Sequence, residues 1–229
     1  MNHRILTYLV LGALLGLPVT ASAQPAEGAW MIYTNVQELT NGTGAYEGYY
    51  ERTLARGRYD VVEATPAEVR VHARYRWLYD APEEPSWGEE DRSVTVLVPS
   101  RTYVDGYTDL DEYDDRRDTR LTTWMWIPPG LQVGDEVRIL EHTFRVVSVD
   151  ASTFAAGQNR RAIEVRAETR GERHDDYGSF GTRTTDTYWF DHATGLFLRE
   201  EIVEDDQGRS GGEDAAFTMR TTISVLDAS

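Results

Sequence analysis

The sequence predicts an all-β protein: a single antiparallel, strongly curved sheet or (half-)barrel of roughly ten to twelve strands. Three observations carry that prediction. Apolar and charged side chains alternate with period two in several places, and short segments rich in β-branched and aromatic residues recur between turn signals. No apolar stripe of useful length follows the helical period.

Taken in chain order, strands are expected at 31–36, 45–52 and 59–64 from their Ile, Val, Thr and Tyr content. The clearest strand starts at Val69. Val69, Val71, Ala73, Tyr75, Trp77 and Tyr79 point one way and Arg70, His72, Arg74 and Arg76 the other. A helix would bury those arginines. Segments 93–98, 121–127, 137–140 and 143–149 follow on composition. Ile163, Val165 and Ala167 then alternate with Glu164 and Arg166; 186–190 and 196–203 are aromatic or β-branched; and Phe217, Met219, Thr221, Ile223 and Val225 alternate with Thr218, Arg220 and Thr222. Asn41-Gly42, Arg56-Gly57, Pro128-Pro129-Gly130, Gly134-Asp135, Thr194-Gly195 and Gln207-Gly208 are expected to end strands. Two segments break the pattern and read as exposed loops: 81–90, with its prolines and glutamates, and 105–117, dense in aspartate.

The N-terminus reads as a secretory signal peptide. A basic start at Met1 to Arg4, an apolar run over 5–19 and the small-residue site Ala21-Ser22-Ala23 predict cleavage before Gln24. The expectation is residues 1–23 as signal peptide and 24–229 as one β-rich domain, periplasmic or extracellular and not transmembrane once processed. That domain carries 22 arginines, no lysine and 39 acids, a formal charge of −17. Such an acidic protein is expected to be repelled by nucleic acid and anionic lipid surfaces, so no nucleic-acid partner is expected. The absence of cysteine excludes disulfides, thiol nucleophiles, zinc–thiolate sites and a cysteine-linked lipid.

Little in the sequence points to catalysis or metal. Asp105, Asp109, Asp111, Glu112, Asp114 and Asp115 offer hard oxygen ligands. The spacing misses an EF-hand, with Tyr113 at the third ligand position, Asp114 at the glycine and Arg120 at the bidentate glutamate. His72, His142, His174 and His192 lack the close spacing of metal sites. Gly178-Ser179-Phe180-Gly181 lacks the glycine spacing of a nucleophile elbow and reads as a flexible loop. Glu200-Glu201 and Asp205-Asp206 are acidic pairs, but neighbours on a strand face opposite sides. No catalytic residue, metal site or cofactor is assigned.

The aromatics carry more. Trp77, Trp124, Trp126 and Trp189, with Tyr75, Tyr79 and Tyr188, fall within expected strands, so several should line the concave side. They either fill a closed core or border an open apolar cavity. The candidate ligand-binding residues are Trp77, Trp124, Trp126, Trp189, Tyr75 and Tyr188.

One stretch carries a family resemblance. Tyr188-Trp189-Phe190-Asp191-His192-Ala193-Thr194-Gly195-Leu196-Phe197-Leu198-Arg199-Glu200, then Asp206-Gln207-Gly208, resembles a hairpin of the lipoprotein-carrier (LolA-like) superfamily and related exported β-rich domains of unknown function. Gly130-Leu131-Gln132-Val133-Gly134-Asp135, leading into 137–149, is similar in style. The resemblance implies an incomplete barrel around an apolar cavity, which in the carriers holds acyl chains, and it brings no catalytic residue. The chain departs from the carriers in having no clear helices to plug the barrel.

The expected function is a non-catalytic β-barrel-like protein that binds a lipid or other apolar or amphipathic small molecule, or an envelope protein. The alternatives are a structural or interaction module with a closed core and, less favoured, a metal-dependent hydrolase.

Overall fold

The computed structural model describes residues 26–44, 47, 51–80, 86–97, 102–105, 126–128, 130–139, 142–175, 178–210 and 212–228. Eleven antiparallel strands form one sheet. They are β1 (Trp30–Thr43), β2 (Glu51–Ala64), β3 (Glu68–Asp80), β4 (Ser86–Leu97), β5 (Thr102–Asp105), β6 (Glu136–Ile139), β7 (His142–Ala155), β8 (Gln158–Asp175), β9 (Gly178–Asp191), β10 (Phe197–Ser210) and β11 (Glu213–Ala228). The described residues include no α-helix, so the all-β, single-sheet prediction holds. The expected signal peptide, residues 121–125 of the strand expected at 121–127, most of the strand expected at 45–52 and the acidic loop beyond Asp105 lie outside the described residues.

The order is β5-β4-β3-β2-β1-β11-β10-β9-β8-β7-β6. Each strand therefore pairs with its sequence neighbour except at two places. The first and last strands pair in the middle of the sheet, and the sheet is open between β5 and β6. Both edge strands are four residues long, which limits the unpaired backbone offered to other chains. Strong curvature is visible in the packing. The tip of the β7–β8 hairpin reaches β11, where the Ala156 amide donates to the Val225 carbonyl at 2.8 Å. Side chains from β1, β2, β3 and β6 to β11 share one core.

Several turn signals lie inside strands. Gly57 is buried in β2, directly opposite Tyr33 of β1, and a Cβ there would overlap the Tyr33 ring. Here glycine permits close approach and does not turn the chain. Gly88 plays the same part under Trp77, its opposite residue on β3, where an added Cβ would lie 2.5 Å from the indole. β4 consequently starts at Ser86, inside the stretch expected to be a loop. Asn41-Gly42 falls at the register shift between Thr40 and Thr43, and Gln207-Gly208 lies within β10. Gly178 to Gly181 opens β9 with Phe180 buried. His142 begins β7. The Thr194-Gly195 signal holds. Asp191 Oδ1 accepts from the Ala193 and Thr194 amides, both at 3.0 Å, and from the Thr194 hydroxyl at 3.1 Å, while Gly195 takes a φ of 71°. The residues that carry the family resemblance are thus, at Asp191 to Gly195, the parts of a hydrogen-bonded turn.

Candidate functional site

Strand register places the inward side chains in rows across the sheet, and the concave face changes character from row to row. Toward the β2–β3 turn it is apolar. Met31, Tyr59 and Ala73 form one buried row, and Val61 and Val71 extend it. The Tyr33 and Tyr59 rings stack with centroids 4.8 Å apart, and Phe144 meets Tyr188 edge-on at 5.1 Å. Tyr188, Phe190 and Phe197 contact one another at 5.9 to 6.3 Å. All of these rings are buried. Trp126 and Ile127 join them, held by the Trp126–Leu196 bridge and the Ile127 amide on the Gly195 carbonyl at 3.0 Å. This half is a filled core.

The next row is transitional: Val165, Tyr188, Glu200, Ile223, Asn35, Ala55 and Trp77 lie side by side. Beyond it comes Ala167, Asp186, Ile202, Thr221, Gln37, Thr53 and Tyr79, then Thr169, Thr184, Glu204, Met219, Leu39 and Glu51. Apolar and hydrogen-bonding groups mix in these rows, and most are half-buried. Gln37 Nε2 donates to the Met219 sulfur at 2.9 Å.

Three carboxylates are buried on this face: Glu200 and Asp206 at 0% exposure and Asp186 at 4%. A carboxylate taken out of water costs several kcal/mol unless compensated. For Asp206 the compensation is visible. Arg173 lies 3.0 Å from it and 3.9 Å from Glu204, with its guanidinium between Phe180 and Phe217 at 5.1 and 4.9 Å from the ring centroids. The acidic pairs split as strand geometry requires. Glu201 faces outward to Arg199 and Arg220, and Asp205 accepts from the Thr218 hydroxyl.

The six sequence candidates are only partly brought together. Trp126 is buried in the apolar half; Tyr188, in the transitional row, packs its buried ring against that half, and Trp77 is half-buried in the same row. Tyr75 lies in β3 opposite Gly57. Trp189 alternates onto the outer face, where it packs with Ala155, Ala162 and Leu198 beneath the Arg199 guanidinium, 5.5 Å from the ring centroid. Trp124 lies outside the described residues. Sequence reasoning missed Asp186 and Glu200 as inward groups. The only available signal was strand parity relative to Tyr188 and Phe190.

The outer face is charged and more conventional. Arg183 grips Glu168 with two hydrogen bonds, 2.9 and 3.1 Å, helped by Arg170; hydrogen bonding to these arginines holds the Glu168 carboxyl below the usual range. Arg58 does the same for Asp60, with Arg74 at 3.3 Å adding to the effect. His72 pairs with Asp91, and His174 lies 2.8 Å from the Ser179 hydroxyl. No group of three or more His, Asp or Glu side chains that could hold a metal ion occurs among the described residues. No helix among them is long and apolar enough to cross a membrane.

No protein-family model and no curated protein matches the chain. Among solved structures, one similar chain is a "putative lipoprotein" from Parabacteroides distasonis, 9% identical with a TM-score of 0.23 over 91% of this chain and 98% of that one. At that score the likeness carries no argument, and the fold rests on the sheet itself.

Proposed function

We propose that this is an exported, non-catalytic binding protein that takes an amphipathic small molecule in the polar half of its concave face. One observation carries the reading: half-buried rows mixing Leu39, Ile202 and Met219 with Gln37, Thr53 and Glu204, next to three buried carboxylates. Aliphatic groups suit a short apolar chain, while the carboxyl groups of Glu204, Asp186, Glu200 and Asp206 favour a cationic or hydroxyl-bearing head group. The basic start, apolar run and Ala-Ser-Ala site support export. The open, curved sheet agrees with the incomplete barrel implied by the resemblance to the lipoprotein carriers, with the binding surface moved from an apolar interior to a mixed one. Calorimetric titration with dodecyltrimethylammonium and dodecyl sulfate monomers tests it. Saturable binding of the cation, weakened by Glu204→Gln, is expected; equal heats from both amphiphiles would sink it.

The closed-core interaction module is the second reading, favoured by the packed rings of the apolar half. It predicts no saturable heat with either amphiphile.

A further inference from the structure

The outer face of β1 to β4 carries an arrangement that the concave site does not use. Val36, Leu54, Leu78 and Trp87 stand directly opposite one another on four successive strands and form an apolar row. Leu78 is 43% exposed and Trp87 78%. The adjacent row is Thr34, Arg56, Arg76 and Glu89, and the one after it Ile32, Arg58, Arg74 and Asp91. Arg56 therefore faces Arg76, and Arg58 faces Arg74, across neighbouring strands. Like charges directly opposite destabilise a sheet. Asp60 partly offsets Arg58 and Arg74, and Glu89 lies 3.0 Å from Arg76 in a highly exposed pair, but Arg56 has no acidic partner among the described residues. A groove of about 660 Å³ is lined by the four arginines together with Ile32, Gly57, Glu89 and Asp91. On the outer face of β8 to β10, Arg166, Arg183 and Arg199 likewise pair with Glu164, Glu168 and Glu201.

From this juxtaposition we infer that the β1–β4 outer face docks on an anionic lipid surface, with Trp87 and Leu78 entering the head-group region and the arginines meeting lipid phosphates. Tryptophan and leucine beside arginine is the composition of interfacial membrane-binding surfaces. The chain's net charge of −16 opposes approach at long range. Screening over about 8 Å at physiological ionic strength leaves the contact to local charge. The repulsion then acts on orientation, since the acidic remainder turns away from the membrane and presents this face.

Co-sedimentation with vesicles of phosphatidylglycerol and of phosphatidylcholine, read together with tryptophan emission, tests the inference. The native chain should sediment with phosphatidylglycerol only, with a blue shift. Replacing two arginines in Arg56→Gln/Arg76→Gln should lower partitioning by roughly 25-fold, about fivefold for each. Trp87→Ser should weaken binding and reduce the shift. These side chains are exposed, and unchanged circular dichroism and unchanged amphiphile binding by the concave face keep the readout separate from folding and from the proposed function. Equal sedimentation with both lipids, or binding by the double variant at the native level, would overturn the inference. So would sedimentation with neither lipid, which would assign the arginines to an acidic protein partner, or thermal stabilisation by inorganic phosphate with no vesicle binding, which would make them a free-anion site.

Discussion

The two halves of the concave face are built from the same strands and do opposite things. Toward the β2–β3 turn, inward positions hold Tyr33, Tyr59, Val61, Val71, Tyr188 and Phe190, and the rings close on one another. Four to eight residues along β1, β2 and β9, the same parity holds Gln37, Leu39, Thr53 and Thr184, joined by Glu204 of β10 and Met219 of β11, half-buried and chemically mixed. The first half supplies stability through packing. The second spends its inward positions on groups that a core does not need, and for that reason it is the candidate site.

The largest expected effect tests the stabilising half. Tyr188→Ala should cost about 3–5 kcal/mol in urea unfolding, as deletion of a buried aromatic does. Leu39→Ala, in the mixed half, should cost less than about 2 kcal/mol. Equal losses would erase the distinction between the halves. Next comes the polar end of the mixed half. Arg173→Met leaves buried Asp206 without its guanidinium and should cost about 3 kcal/mol, while adding Asp206→Leu should recover most of the loss, because an apolar pair replaces the ionic one at little cost. Failure of the rescue would mean that Arg173 acts mainly by covering Phe180 and Phe217.

How much of this division is legible in the sequence depends on patterning. β3 is legible almost to its ends because Val69 to Tyr79 alternate with arginines and His72. Alternation marks β8 only over 163–167, yet the strand runs from Gln158 to Asp175. Residues 168–175 have no apolar face and are strand because β9 pairs with them throughout, which is a tertiary cause. The same blindness hides the site. Along Glu200 to Asp206 both faces are largely acidic, so no alternation marks Glu200 and Asp206 as inward; only pairing with Tyr188 and Thr182 fixes them. Trp189 shows the converse, since an aromatic in a strand is not thereby on the concave side.

Smaller effects separate the two faces of the sheet. The Asp60 carboxyl is held below its ordinary value, chiefly by hydrogen bonds from Arg58. Its contribution is therefore full above the ordinary aspartate range near 4 and lost as pH falls through the lowered folded value. Asp60→Asn should cost about 0.5–1 kcal/mol at neutral pH and nothing in strong acid. A deficit that persists in acid would place the effect in packing instead of charge. An effect of similar size is expected at the β7–β8 turn. Ala156 holds a φ of 49° beside Gly157 at 73°, a left-handed pair that alanine tolerates poorly. Ala156→Asn should raise stability by about 1 kcal/mol in the same unfolding assay, and a loss would show that the contact of this tip with Val225 depends on alanine.

Two methionines report on the two halves directly. Met31 is buried in the apolar half, and Met219 is half-buried in the mixed half with the Gln37 amide on its sulfur. In ¹³C-methyl methionine spectra recorded during titration with dodecyltrimethylammonium, the Met219 resonance should move saturably while Met31 stays in place. A Met31 resonance that moves while Met219 does not, or two that never move, would contradict the assignment of binding to the polar half of the concave face.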